Sequence, residues 1–385
     1  MRRGGRGVLR GLVLALCALV ALALATPAEA EEGPTLSEAQ AFEVMDGYGN
    51  VLWSQNGDAE LPMASITKVM TAMVALDSGM DLDTPIPLVD VTVPEGSQVA
   101  GISSADTMTL RQMLYLMLVY SANDVAEEVA VQVSGSHEAF CDLMNAKAAE
   151  LGMSHTHFMN PHGMEEDGHY ASAHDLVVMG RYALENYPLI ANAVVTRSYT
   201  IAVGGTTRTY QSTDDLMESY GGLCGIKTGA LWTSKAFLGS SKRHGLQLFT
   251  CVLGCQTIDG RFADTAALMD WAYYRHFAQL HLARESWPIR VATWEYGFWG
   301  KVMVTPSWNA FGVSYPGEDV RYSTTIDAAG LQPLGAPCGS AVWSQDDRPV
   351  AREVYATRAR LYRVPSFNVF ALPLFMDVTQ LMGAA

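Results

Sequence analysis

The sequence predicts an α+β fold: an antiparallel sheet packed with helices, followed by a smaller β-rich region. Three features predict it. Apolar runs at 41–45 and 51–53 flank Asp46-Gly47-Tyr48-Gly49-Asn50, a hairpin signature near the start of the chain. Helical periodicity then dominates residues 65–184, and from about residue 198 short strand-like runs return, closed by one more helix. A sheet built from the first and last portions, with the helices packed on it, buries the apolar face of each.

After a short loop with Pro62, the stretch Ala64-Ser65-Ile66-Thr67-Lys68 opens a helix carrying Val69, Met70, Met73, Val74 and Leu76 and ending near Gly79. Residues 80–106, rich in Asp, Pro and Gly, read as loops and short strands. Thr109 and Gln112 form a capping box for a helix to about residue 120, with Leu110, Met113, Leu114, Met117 and Leu118 on one face. A second helix spans about 124–133. A third spans 136–151 and is stopped by Gly152. Ser172 and Asp175 start another, to about residue 184. Runs 199–203 and 206–210 flank a Gly204-Gly205 turn. Strands follow at 223–228, 235–242 and 246–253, and a helix over about 261–277 buries Phe262, Leu268, Met269, Trp271 and Ala272. Beyond it, runs such as Ile289-Arg290-Val291 and Lys301-Val302-Met303-Val304 between Gly and Pro turns predict a separate small β domain over 283–366. An apolar tail, 367–385, is broken by Pro373 and has no Lys or Arg, so a basic amphipathic anchor is not evident.

Residues 1–30 have the form of a cleaved export signal: Arg2, Arg3, Arg6 and Arg10, then an apolar run over 12–24, then Ala28-Glu29-Ala30. An extracytoplasmic location is therefore expected. Leu16 before Cys17 argues against a lipoprotein reading. Loss of these residues removes four Arg and one Glu and takes the net charge from −15 to −18. That surface argues against nucleic acid or anionic membrane as partners, while peripheral attachment to the membrane or cell wall stays open. Five cysteines remain, an odd number without a C-x-x-C framework, and Cys251 and Cys255 read as small hydrophobes of a buried strand.

The chemistry is read from three stretches. Ser65 and Lys68, at i and i+3, share one face of a helix, about 5–6 Å apart at Cβ. A serine hydroxyl needs a base to become a nucleophile, and a lysine serves only if burial or a neighbouring cation lowers its pKa. Tyr120-Ser121-Ala122-Asn123-Asp124 falls in the turn between two helices, where Ser121 and Asn123 can project into a cleft. Gly225-Ile226-Lys227-Thr228-Gly229 lies on a strand, with Gly229 expected to let a substrate backbone approach. His155, His157, His162 and His169 lack a zinc-ligand spacing such as H-E-x-x-H, so neither metal nor cofactor is expected.

Ser-x-x-Lys, Ser-x-Asn 56 residues on and Lys-Thr-Gly 106 further form the ordered motif set of penicillin-binding proteins and class A β-lactamases. The chain resembles the low-molecular-mass penicillin-binding proteins that are serine D-alanyl-D-alanine carboxypeptidases. The stretches that carry the resemblance also include Asn160-Pro161-His162-Gly163-Met164 and Gly260-Arg261, within about residues 37–280. It implies a β-lactamase/transpeptidase-like domain over 31–282 and, more weakly, a C-terminal β-sandwich domain. It further implies Ser65 as nucleophile, Lys68 as base and Ser121 as proton relay. The substrates would be peptidoglycan stem peptides ending in D-Ala-D-Ala, with β-lactams as inhibitors. Asn123 would bind the peptide, Lys227, Thr228 and Arg261 its terminal carboxylate, and the backbone N–H groups of Ser65 and Ala230 the oxyanion. The chain departs from its relatives after Gly229, where Ala230-Leu231-Trp232-Thr233 stands in place of one aromatic or His residue and then Thr. A β-lactamase is the weaker reading, because Glu165 and Glu166 are followed four residues on by His169 and Tyr170, not by Asn. A non-catalytic wall-binding member of the fold is the other alternative.

Overall fold

A computed structural model of the chain describes residues 32–377 apart from 244, 284–288, 296–297, 307–309, 318, 327–334, 347 and 364–374. The expected export signal and most of the apolar tail lie outside the described residues.

The hairpin β1 (Ala41–Asp46) and β2 (Val51–Gln55) forms as its turn residues dictate. It joins three late strands, β7 (Leu223–Ala230), β8 (Lys235–Arg243) and β9 (Leu246–Cys255), in an antiparallel sheet of order β2-β1-β9-β8-β7. Side chains alternate across this sheet. Ala41, Met45, Leu238, Phe249, Cys251 and Leu253 enter one core, and Phe42, Val44, Phe237, Leu248 and Val252 enter another. Both faces are covered, so β1 is buried along its whole length. Each Leu or Phe so buried is worth about 1.5–3 kcal/mol.

The first core is filled by α1 (Thr67–Asp77), α2 (Leu110–Tyr120), α3 (Asn123–Ser134), α4 (His137–Glu150) and α5 (Ala173–Asn186). The capping box is present: Thr109 Oγ1 accepts from Gln112 N and Gln112 Oε1 from Thr109 N. Ser136 and Ser172 cap α4 and α5. Two short helices were not foreseen, α6 (Pro188–Ala193), which starts on Pro188, and α7 (Leu216–Ser219). They are six and four residues long, too short for periodicity to register. A separate hairpin, β5 (Ser198–Val203) with β6 (Thr206–Gln211), lies against α2 through stacking of Tyr199 on Tyr115 at 5.3 Å.

The second core is closed by α8 (Ile258–Trp271), which starts three residues earlier than the sequence reading placed it. Thr257 is its N-cap, accepting from Gly260 N, and the last turn of the expected helix is a π-helical turn over Ala272–His276. The C-terminal strands form a six-stranded sheet in which a long strand, Arg348–Arg363, is central, with Phe298–Pro306 and Pro337–Gln345 as its neighbours, and a separate two-stranded sheet of Ala278–Ala283 with Ala310–Ser314. Val304, Val313, Tyr315, Cys338, Trp343 and Val350 share the core of Phe42, Leu248, Met269 and Phe277. The β-rich region and the first sheet thus have a common core.

Candidate active site

Ser65 lies in a single 3-10 turn, Ala64–Ile66, that runs into α1. The turn is strained, since Ala64 has φ +51°, a left-handed conformation costly for a residue with a Cβ. Its surroundings hold it. Thr67 Oγ1 donates to the Ala64 carbonyl at 2.8 Å. The His169 ring bonds that hydroxyl at 2.9 Å with Nε2 and accepts from Met159 N with Nδ1. Gly163 presses on the same turn: a Cβ there, at φ +90°, would stand 2.0 Å from the Ala64 oxygen.

Lys68 occupies the first turn of α1 and is fully buried. Its Nζ sits 2.9 Å from Ser65 Oγ, 2.6 Å from Asn123 Oδ1 and 2.6 Å from the His162 carbonyl. Burial holds its pKa well below the ordinary lysine value. The charge of Lys227 lowers it further, and Asp124 opposes both. The neutral amine expected from the sequence is therefore what the surroundings favour.

Ser121 ends α2 with φ +69°, and this left-handed C-cap reverses the chain so that Ser121 and Asn123, the first residue of α3, both border the cleft. The turn is tied to the 95–102 loop. Asn123 N donates to the Gln98 carbonyl at 2.7 Å, and the Asp124 carboxylate accepts from the N–H groups of Ala100, Gly101 and Ile102.

On β7, Lys227 is buried, its ammonium donating to the Thr228 carbonyl at 3.2 Å and lying 3.5 Å from Thr228 Oγ1. Burial and then the Arg261 charge push its pKa down to about 7, with Asp214 pulling it back. Arg261, on α8 and 4% exposed, donates from Nη1 to the Gly229 carbonyl at 2.7 Å, and its Nε has no partner.

Gly229 requires a correction. The space left by its missing Cβ is filled by protein and not by a substrate backbone. A Cβ there would meet the Met63 carbonyl at 2.7 Å and the Ala64 methyl at 3.0 Å, so the glycine lets the Ser65 turn pack against β7. Strand alternation predicts a bare face at this position but not which neighbour occupies it.

Ser65, Ser121, Asn123, Thr228, Ala230 and Arg261 converge on one open cleft of about 560 Å³. Lys68 and Lys227 are buried in the walls around Ser65 and Thr228. After Ala230 the chain turns back through four residues to Lys235. Leu231 N donates to the Ser234 carbonyl at 2.8 Å, the Lys235 ammonium bonds the Leu231 carbonyl, and Trp232 stands 98% exposed at the cleft edge.

Sequence reasoning missed Thr213 and Asp214. Thr213 Oγ1 is 2.5 Å from Thr228 Oγ1. Asp214, 7% exposed, accepts from Leu216 N with Oδ1, while Oδ2 has no partner. Burial pushes its pKa up to about 6 against the pull of Lys227 and Arg261. The signal that could have found Asp214 is the turn chemistry of an Asp bonding the N–H two residues on, here Leu216 N, ahead of an apolar pair. Of the clustered histidines, His157 bonds the Gly168 carbonyl with Nδ1, and His162 and His169 are engaged with protein groups, as is the nearby His137. His137 bonds Glu127 and the Met159 carbonyl, and His162 accepts from Met164 N and is kept neutral, its pKa pushed by burial down to about 3. Among the described residues no group of three or more His, Cys, Asp or Glu is placed to hold a metal.

The family described as D-alanyl-D-alanine carboxypeptidase, peptidase S11, matches residues 28–257. A D-alanyl-D-alanine carboxypeptidase of Bacillus subtilis (strain 168) is 30% identical over 59% of this chain, and the match spans 60% of that protein's length. A penicillin-binding protein of Listeria monocytogenes, solved in a cefotaxime-bound form, is 30% identical with a TM-score of 0.57. The match covers 62% of this chain and 99% of that one. A D-alanyl-D-alanine carboxypeptidase of Francisella tularensis, 21% identical, shares the fold over 88% of this chain and 97% of its own at a TM-score of 0.60.

Proposed function

Because the chain belongs to the peptidase S11 family of D-alanyl-D-alanine carboxypeptidases, we propose that it removes the terminal D-alanine from peptidoglycan stem peptides. The reaction passes through an acyl-enzyme on Ser65, which β-lactams also form. The observation that carries this reading is the fully buried Lys68 amine 2.9 Å from Ser65 Oγ.

A neutral amine has two N–H bonds and one lone pair. The N–H bonds go to Asn123 Oδ1 and the His162 carbonyl, and the lone pair is left for the Ser65 proton. As Ser65 Oγ bonds to the carbonyl carbon of the penultimate D-alanine, its proton passes to Lys68. The oxyanion is received by the N–H groups of Ser65 and Ala230, donors worth about 2.7–4 kcal/mol each in acyl transfer. Collapse breaks the C–N bond, and the departing amine takes a proton by way of Ser121. Water then attacks the ester, the proton path runs in reverse, and Ser65 is restored. Lys227, Thr228 and Arg261 hold the terminal carboxylate, and Asn123 holds the peptide and Lys68 together.

On this reading the mature protein works outside the cytoplasm against the cell wall, with residues 1–30 as its export signal. The C-terminal strands are an accessory β-sandwich module. The test is to incubate the exported protein with labelled penicillin and, separately, with a peptide ending in D-Ala-D-Ala. A long-lived adduct and D-alanine release are expected, both abolished by Ser65→Ala. Neither appearing in the unmutated protein sinks the reading, and rapid turnover of the penicillin points to a β-lactamase.

A further inference from the structure

The turn after β7 has no part in the chemistry proposed above, yet it carries a large apolar side chain left almost wholly in water. Trp232 is 98% exposed, in a turn closed at its base by the bond from Leu231 N to the Ser234 carbonyl and clamped by the Lys235 ammonium on Leu231. The indole is thus presented by a built turn and lies on the same cleft as Ser65, Thr228 and Ala230.

Trp232 lies two residues past the end of β7, and that place says what it faces. The substrate reading puts the terminal carboxylate at Thr228 and the scissile carbonyl at Ala230. A peptide laid antiparallel on β7, an edge strand of its sheet, extends about 3.3 Å per residue toward higher residue numbers of the protein. The residue that precedes the D-Ala-D-Ala pair then arrives at Leu231 and Trp232. Three exposed carboxylates, Glu95, Glu165 and Asp215, border the same cleft, against one partly exposed ammonium, Lys235, already bonded to a carbonyl.

We propose that Trp232 is a specificity residue that receives the side chain preceding D-Ala-D-Ala and favours an aliphatic chain ending in a free amine. The indole packs on the methylenes and attracts the ammonium through its face, and the carboxylates across the cleft add to that attraction. An acylated amine, as in a cross-linked stem, loses both. The inference rests on the carboxypeptidase reading and adds a preference for stems that have not been cross-linked.

The test compares three peptides ending in D-Ala-D-Ala, with lysine, Nε-acetyl-lysine or norleucine before that pair. The full-length protein is expected to show kcat/KM for the lysine peptide about two- to thirty-fold above the other two, the range set by a cation on an aromatic face. Trp232→Ala brings that ratio close to one, Trp232→Phe retains part of it, and Glu165→Gln lowers it. Labelling of Ser65 by penicillin in each variant confirms that the site is formed. A ratio unchanged in Trp232→Ala, or equal rates for the three peptides in the unmutated protein, overturns the inference and leaves the carboxypeptidase reading standing. No D-alanine release from any peptide removes both.

Discussion

Lys227 shows most directly what burying a charge costs at a single residue. An ordinary lysine titrates near 10.5, and here burial and Arg261 bring the folded value to about 7. The unfolded chain therefore binds the proton more tightly, and folding with Lys227 charged costs roughly 5 kcal/mol at about 1.36 kcal/mol per pKa unit. The cost is complete below pH 7, declines between 7 and 10.5, and is gone above that. Lys227→Met, with a side chain of similar length and no charge, should unfold at higher urea than the unmutated protein. The gap, about 1–3 kcal/mol at pH 6, should shrink toward pH 10. Equal or lower stability of the variant at pH 6 would show that the charge is not borne at a cost. That Ser65, Lys68, Ser121, Asn123, Lys227 and Thr228 would meet around one cleft was legible in the sequence from residue type and the order of motifs. Asp214 was not, because its interest lies wholly in being buried with one oxygen unpartnered beside two cations.

The elements meet through missing side chains. Gly229 lets the Ser65 turn seat on β7, and Gly163 lets the Asn160-Pro161-His162-Gly163 turn seat on that same 3-10 turn. Gly229→Ala would put a methyl 2.7 Å from the Met63 carbonyl, and backbone does not yield as the end of a flexible side chain does. The expected result is a shifted Ser65, penicillin labelling slowed at least tenfold, and unfolding earlier by about 1–3 kcal/mol, the usual range for overpacking. Labelling at the unmutated rate would show that the contact does not position the nucleophile. What was legible at this scale is what local chemistry decides: the β1–β2 hairpin, the Thr109 box, the Ser172 cap and the Gly204-Gly205 turn. The strand order β2-β1-β9-β8-β7 and the partner of Gly229 depend on which distant segments meet, and no short-range pattern records that. Ser65 itself lies in a 3-10 turn and not within the helix proper, because Ala64 takes a left-handed conformation that only its neighbours sustain.

Across the whole molecule, the sequence suggested two domains, whereas the second core belongs to both the first sheet and the C-terminal strands. The junction is also polar. Tyr315 donates its hydroxyl to Asp46 Oδ2 at 2.7 Å. Asp46, at the end of β1, also accepts from Tyr48 N, Asn50 N and Asn50 Nδ2, and so organises the β1–β2 turn. Arg348 lies 3.9 Å above the Tyr315 ring, and Tyr48 returns a bond to the Pro349 carbonyl at 2.9 Å. A turn of the first sheet is thus clamped from the C-terminal side, with Asp46 and Tyr315 buried at the centre of the junction and Tyr48 at its exposed rim. Tyr315→Phe removes one oxygen and leaves the ring packed on Phe277 at 4.8 Å. It therefore isolates a hydrogen bond to a charged acceptor, worth about 1.5–3 kcal/mol. A shared core and a shared clamp require that the loss be felt together, so urea unfolding followed by tryptophan fluorescence and by penicillin labelling should shift by the same amount with unchanged slope. If the fluorescence of the C-terminal tryptophans moved to lower urea while labelling kept its midpoint, the two regions would be independent in stability. The sequence's two-domain reading would then hold against the common core.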